Sequence, residues 1–130
     1  MTELESMFAP LHQVSDRAYF ARTLLVCAAN NLPGPTYPSQ YASVVSVAAR
    51  PGDEEMTLAY NAHPPVEFGA RGIDVDVAWA DRGSITATGN SFAAPHVSAM
   101  VALMRSKHPW LTPLQVKAVL QAASINSLAG

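Results

Sequence analysis

Ser91 is the residue of this 130-residue chain best placed for covalent chemistry. It follows Gly89-Asn90 and opens the run Phe92-Ala93-Ala94-Pro95-His96-Val97, which leads into an apolar helix. Backbone N–H groups in the first turn of a helix lack intrahelical partners and carry partial positive charge. A serine at that point can attack a carbonyl carbon while its own N–H stabilises the oxyanion that forms. Gly89 is expected to let the backbone turn sharply and to leave room for a substrate chain. The position also has a purely structural reading, because serine is a favoured N-cap.

The remaining reactive side chains offer less. His63 sits between Ala62 and Pro64 with no helix to hold it, and a general base must be oriented within hydrogen-bond reach. His96 lies one turn into the Ser91 helix, and His12 and His108 read as surface residues. Asp74 and Asp76 read as solvated strand carboxylates. Cys27 is the one cysteine, so no internal disulfide can form, and a lone thiol with scattered histidines makes no zinc pattern. It reads as a buried strand residue. No metal and no cofactor is assigned.

Composition narrows the partners. Hydrophobic residues make up 49% of the chain and charged residues 14%, with a net charge of −2, so many residues are expected inside. No basic stripe offers a footprint for nucleic acid or an anionic membrane. The longest apolar stretch, Ala99 to Met104, is far short of the ~18 residues of a membrane span. The opening residues Met1 to Ser6 are polar and acidic, without the charged and apolar regions of a signal peptide, and cellular location is left open.

The elements that must position Ser91 follow from periodicity and punctuation. Residues 10–22 predict a helix with Leu11, Val14, Ala18 and Tyr19 on one side. The apolar runs 24–29 and 44–49 predict strands covered on both faces, as in a parallel sheet. Asn30 to Pro35 is a loop, and residues 50–56 a charged turn. Residues 57–72 are ambiguous, with Pro64-Pro65 excluding a regular helix. Ile73, Val75 and Val77 alternate with Asp74 and Asp76, as in a half-exposed strand. Residues 91–107 predict a helix apolar nearly all round and therefore buried, with Pro95 confined to its first turns. A further helix starts at Thr112, where Pro113 and Gln115 complete a capping box and Leu111 and Val116 a staple. Its inward stripe is Val116, Val119, Leu120 and Ala123. Strands alternating with helices, without tight hairpins, give an α/β class with a parallel sheet.

Gly89-Asn90-Ser91-Phe92-Ala93-Ala94-Pro95-His96-Val97 closely resembles the nucleophile signature of subtilisin-like serine proteases, the subtilases (peptidase family S8), which runs Gly-Thr-Ser-Met/Phe-Ala-x-Pro-His-Val. Ala102 to Met104, Ser106 to Pro109 and the Leu111 to Lys117 helix entry are similar to that family too. Val26-Cys27-Ala28-Ala29-Asn30-Asn31 resembles its strand ending in Ala-Ala-Gly-Asn. Tyr37-Pro38 and Tyr41 to Val47 resemble its Tyr-Pro…Tyr-Pro-Ser-Val-Ile-x-Val pattern, and Ile73-Asp74-Val75 the strand preceding its serine loop. The resemblance spans roughly residues 10 to 124 and implies a three-layer α/β fold with a parallel sheet, here an incomplete C-terminal portion forming one partial catalytic domain over 1–130. It implies Ser91 as the nucleophile and Asn31 as the oxyanion donor, with Ala29, Asn30, Gly89 and Asn90 supplying cleft backbone. Asn31 also has an ordinary reading, since Asn after a strand is common turn chemistry. The resemblance further implies a cis Tyr37–Pro38 bond, and it makes His96 structural.

The pattern breaks at three places. The Asp-Thr/Ser-Gly and His-Gly-Thr motifs that carry the family's catalytic Asp and His occur nowhere in the sequence. Asn30 replaces a glycine, tolerable if that position has φ > 0. Asn90 replaces a threonine, and Trp79 stands where relatives often carry proline. The expected function is a serine-type endopeptidase acting on peptides or proteins through an acyl-enzyme, in a fragment that is inactive alone and partnered by a missing N-terminal half. The alternative is a non-catalytic remnant or peptide-binding module. An α/β-hydrolase esterase fails on chain order, because no Asp or Glu follows Ser91.

Overall fold

A computed structural model describes residues 1–126 except Glu55. In chain order the elements are α1 (Phe8–Phe20), β1 (Leu25–Ala28), β2 (Val44–Arg50), β3 (Ala59–Tyr60), β4 (Phe68–Arg71), β5 (Val75–Ala78), β6 (Ser84–Ala87), α2 (Asn90–Lys107) and α3 (Pro113–Ala123). Four strands form one sheet in the order β1-β2-β4-β3. β1, β2 and β4 run parallel, and β3 joins β4 antiparallel. The class is the α/β arrangement with a parallel sheet expected from the alternation of strands and helices.

One face of the sheet makes the main core. Val45 and Val47 of β2, and Phe68 and Ala70 of β4, project two residues apart to the same side, as strand geometry requires. They meet Ala93, Val97 and Val101 of α2 and Val116 and Leu120 of α3. Buried apolar side chains from these four elements, with Leu58 ahead of β3, thus share one cluster, the dominant favourable term in folding. The capping box of α3 is present: Gln115 N–H donates to Thr112 Oγ1, and Thr112 N–H donates to Gln115 Oε1.

Several expectations need correction. The first helix starts and ends two residues early, and its inward residue is Ser15, 2% exposed, while Val14 is 58% exposed. β1 is half-buried rather than covered on both faces, because it is the edge strand. Cys27 is accordingly half-buried. α2 is not buried all round: one stripe packs on the sheet, and Leu103 is 58% exposed. In α3, Val119 and Ala123 face outward while Val116 and Leu120 are buried. Antiparallel pairing also occurs: β5 and β6, joined through residues 79–83, form a separate two-stranded ribbon. The strand expected from Ile73 begins at Val75. His12 is half-buried, its ring 4.5 Å from that of Tyr41.

Candidate active site

The carboxyl ends of three parallel strands converge on the first turn of α2. This is where α/β sheets place their sites, because the loops leaving parallel strands gather at that edge. Ala29, Asn30 and Asn31 leave β1, Ala49 lies near the end of β2, and Gly72 follows β4. Gly89 N–H donates to the Gly72 carbonyl at 2.9 Å, drawing the residue before α2 onto the end of β4. No side chain fits at Gly72: a Cβ there would lie 2.7 Å from Ala49 Cβ, 2.9 Å from Ala93 Cβ and 2.9 Å from the Gly89 carbonyl oxygen.

Ser91 does not cap the helix. α2 begins at Asn90, its N-cap is Gly89, and no cap side chain bonds to it. Ser91 lies inside the first turn, exposed to solvent. Its N–H, one of the orphan donors of that turn, bonds to no group among the described residues. Gly89 is extended, with φ at 165°, so the sharp turn expected of it is not what glycine provides there. A Cβ at position 89 would meet the Phe92 ring at 3.4 Å and Ser91 Oγ at 3.6 Å, ordinary contact distances, so close packing does not require glycine there either. Pro95 has no N–H to return to the Ser91 carbonyl four residues earlier.

Asn31 is brought to the same turn. Its Oδ1 accepts the Asn90 N–H at 2.9 Å, across a separation of 59 residues. Only the oxygen of a carboxamide can accept, so this bond also sets the orientation of the group and leaves Nδ2 as the free donor on an exposed side chain. Ser91 N–H and Asn31 Nδ2 are therefore two unengaged donors, and the N–H that anchors Asn31 belongs to the residue just before Ser91. Asn30 is not at positive φ, so its replacement of glycine is not accommodated by a left-handed backbone. Its Nδ2 is buried without a partner, while its carbonyl accepts from Asn90 Nδ2 at 3.0 Å.

The histidines lie elsewhere. His96 Nδ1 contacts the Phe92 carbonyl at 3.1 Å within α2. His108 ends α2, about 25 Å along the axis from Ser91 at 1.5 Å per residue. His63 is exposed in a loop, where its N–H bonds Asn61 Oδ1. Asp74 and Asp76 are exposed and bond to Thr88 and Thr86 of the ribbon segment. Trp79 is exposed beside the ribbon's turn. Among the described residues no three His, Cys, Asp or Glu side chains cluster as metal ligands, and no helix is long and apolar enough to cross a membrane. The Tyr37–Pro38 peptide is cis, as is Pro64–Pro65.

The sequence profile of the subtilase family matches residues 4–129. The chain belongs to the subtilase family. The match extends beyond the 10–124 span over which the motifs are recognisable. The chain is 33% identical over 104 residues to a thermostable alkaline protease of Halalkalibacterium halodurans, covering 78% of this chain and 29% of that protein. It is 30% identical over 122 residues to subtilisin DY of Bacillus licheniformis, covering 89% of this chain and 44% of that one. Among solved structures, Sphericase superposes with a TM-score of 0.73 at 24% identity, over 94% of this chain and 45% of its own. This subtilase segment thus spans less than half the length of each of these relatives, and the superposition shows its fold to be part of that of Sphericase.

Proposed function

We propose that this chain supplies the nucleophile and the oxyanion donors of a serine endopeptidase, as one part of a catalytic domain. The observation that carries the reading is the bond from Asn90 N–H to Asn31 Oδ1, which sets a free carboxamide N–H beside the turn that bears an exposed, non-capping Ser91. In the reaction, Ser91 Oγ attacks the carbonyl carbon of a peptide bond. In this reading the negative charge that develops on the carbonyl oxygen is met by Ser91 N–H and Asn31 Nδ2, the two donors left without partners at that turn. Collapse expels the amine and leaves an acyl-enzyme, which water then hydrolyses.

The serine proton needs an acceptor. Among the described residues no histidine bonds to Ser91: His96 lies five residues further along α2, lining a cleft with Asp76 and Val77 of β5, while His12 is in α1, His63 in the loop before β4 and His108 at the far end of α2. The general base therefore comes from outside these 130 residues, and the chain by itself hydrolyses peptides very weakly or not at all. The test is a serine-directed phosphonate applied to the purified chain, alone and with a subtilase N-terminal half supplied. Labelling of Ser91 on complementation only is the expected result, with Ser91→Ala silent. Labelling without complementation would overturn the external base. No labelling under either condition would overturn the catalytic reading in favour of a peptide-binding remnant.

A further inference from the structure

Asn90 does more than precede the nucleophile. Its Nδ2 donates to the Ala29 carbonyl at 3.1 Å and the Asn30 carbonyl at 3.0 Å, and its Oδ1 accepts from Ala49 N–H at 2.8 Å. Both amide hydrogens and the oxygen are thus engaged, across separations of 61, 60 and 41 residues. The positions of these bonds are informative. β1 and β2 pair in register from Leu25↔Val44 to Ala28↔Val47, and Ala29 N–H still donates to the Val47 carbonyl at 2.8 Å. The next rung of a parallel ladder runs from Ala49 N–H to the Ala29 carbonyl. Here the two groups do not meet: Ala49 N–H goes to Asn90 Oδ1, and Asn90 Nδ2 goes to the Ala29 carbonyl. A side-chain amide stands in the ladder as an inserted peptide group.

We infer that Asn90 is a positioning residue, a wedge that holds the end of β1 apart from β2 and fixes Asn31 against the Ser91 turn. The inference rests on the catalytic reading of Ser91 and Asn31. Three features support the assignment. The wedge satisfies a donor and two acceptors that the strand divergence would otherwise orphan at a half-buried site, an omission that costs more than a typical net hydrogen bond contributes. It joins residue 90 to both residues just before Asn31, while its own N–H holds Asn31 itself. Threonine, the residue at this place in the family pattern, has one hydroxyl hydrogen and cannot donate to two carbonyls. The departure from that pattern therefore adds a cross-link.

The experiment uses the complemented chain and the rate of phosphonate labelling at Ser91. Asn90→Ala is expected to slow labelling by about 10- to 100-fold, the scale of an ångström-sized misplacement of reacting groups. Asn90→Asp separates positioning from packing. Its carboxylate keeps the acceptor for Ala49 but sets lone pairs against two carbonyls, and only the protonated form can donate again. Its labelling rate, taken relative to the parent at the same pH, should rise as pH falls. An Asn90→Ala rate equal to the parent, or a flat Asn90→Asp ratio, would overturn the inference. A second readout is independent of chemistry: the Asn90 side-chain amide protons, observed by nitrogen-edited NMR, should exchange slowly with solvent. Exchange at the rate of a free carboxamide overturns the wedge. A parent chain that never labels, but whose Asn90 amide is protected, overturns the catalytic reading and leaves the wedge standing.

Discussion

The Ser91 end of the main sheet and the β5–β6 ribbon lie next to each other in sequence and are held in opposite ways. At the Ser91 end, residues 29–31, 49, 72 and 89–93 meet over long separations, through backbone and carboxamide bonds above a buried cluster. The ribbon pairs Val75↔Ala87 through Ala78↔Ser84, with Val75 its one buried apolar side chain. Its side-chain bonds are local, Thr86 Oγ1 to Asp76 Oδ1 at 2.7 Å and Asp74 N–H to Thr88 Oγ1 at 2.9 Å. Three non-glycine residues at positive φ fall in or beside it: Asp74, Asp81 and Arg82. An isolated two-stranded ribbon is marginal in water. The Gly89–Gly72 bond closes residues 73–88 off at their base, so the site is anchored to the core without relying on the ribbon.

Substitutions can break or sharpen that contrast. The largest effect is expected from Phe68→Ala, in the core of the main sheet, where the side chain is 1% exposed. Denaturant unfolding should show a loss of about 3–5 kcal/mol, and a loss comparable to that of a ribbon variant would erase the distinction. On the proposed role of Asn31, Asn31→Ala should lower complemented phosphonate labelling by about 10²–10³-fold, the magnitude known for loss of one oxyanion-hole donor in subtilisin, with the thermal transition nearly unmoved. Gly72→Ala drives a methyl into Ala49, Ala93 and the Gly89 carbonyl. It should cost about 1–3 kcal/mol as an overpacked site and slow labelling as well. A fully tolerated alanine there would show that the two segments are free to separate. In the ribbon, Thr86→Ala should change stability by no more than about 0.5 kcal/mol, as exposed positions do, and ribbon amides should exchange well before those of β2. The smallest effect concerns Cys27, whose thiol pKa burial pushes up, with a small opposing contribution from the N-terminal charge. The neutral thiol is favoured in the folded chain, so its contribution is intact below the ordinary thiol range. It fades as pH rises through the folded-state pKa. Cys27→Ala should remove that alkaline slope in a pH series of melting temperatures.

Much of the scaffold was legible because its signals are local. The Thr112–Gln115 box is written in four residues, and α2 is bounded by Gly89-Asn90 and His108-Pro109. β2 reads as one apolar run. β4 did not stand out, since Phe68-Gly69-Ala70-Arg71 is short and holds a glycine, and only pairing with β2 and β3 makes it a strand. The inversion of Val14 and Ser15 was equally hidden: periodicity marks the apolar stripe of a helix, while the tertiary neighbours decide which stripe is covered. Ser91 and Asn31 are singled out by their motifs. Asn90 was seen only as a departure from one, because nothing local distinguishes a carboxamide that bridges two strands from one in a loop.

The amino-acid order by itself determined most of the element types, the capping box of α3 and the family, and it singled out the two residues proposed for the chemistry, since these follow from neighbours within a turn or from a contiguous motif. Tertiary structure alone decided which atom of Asn31 stays free, that Ser91 is not a cap, that Gly89 is extended rather than turned, and that Asn90 sits in the β1–β2 ladder. Those outcomes depend on hydrogen bonds between segments 17 to 61 residues apart. Bonds over such distances leave no periodic trace in the chain and form only when the core has brought their partners together.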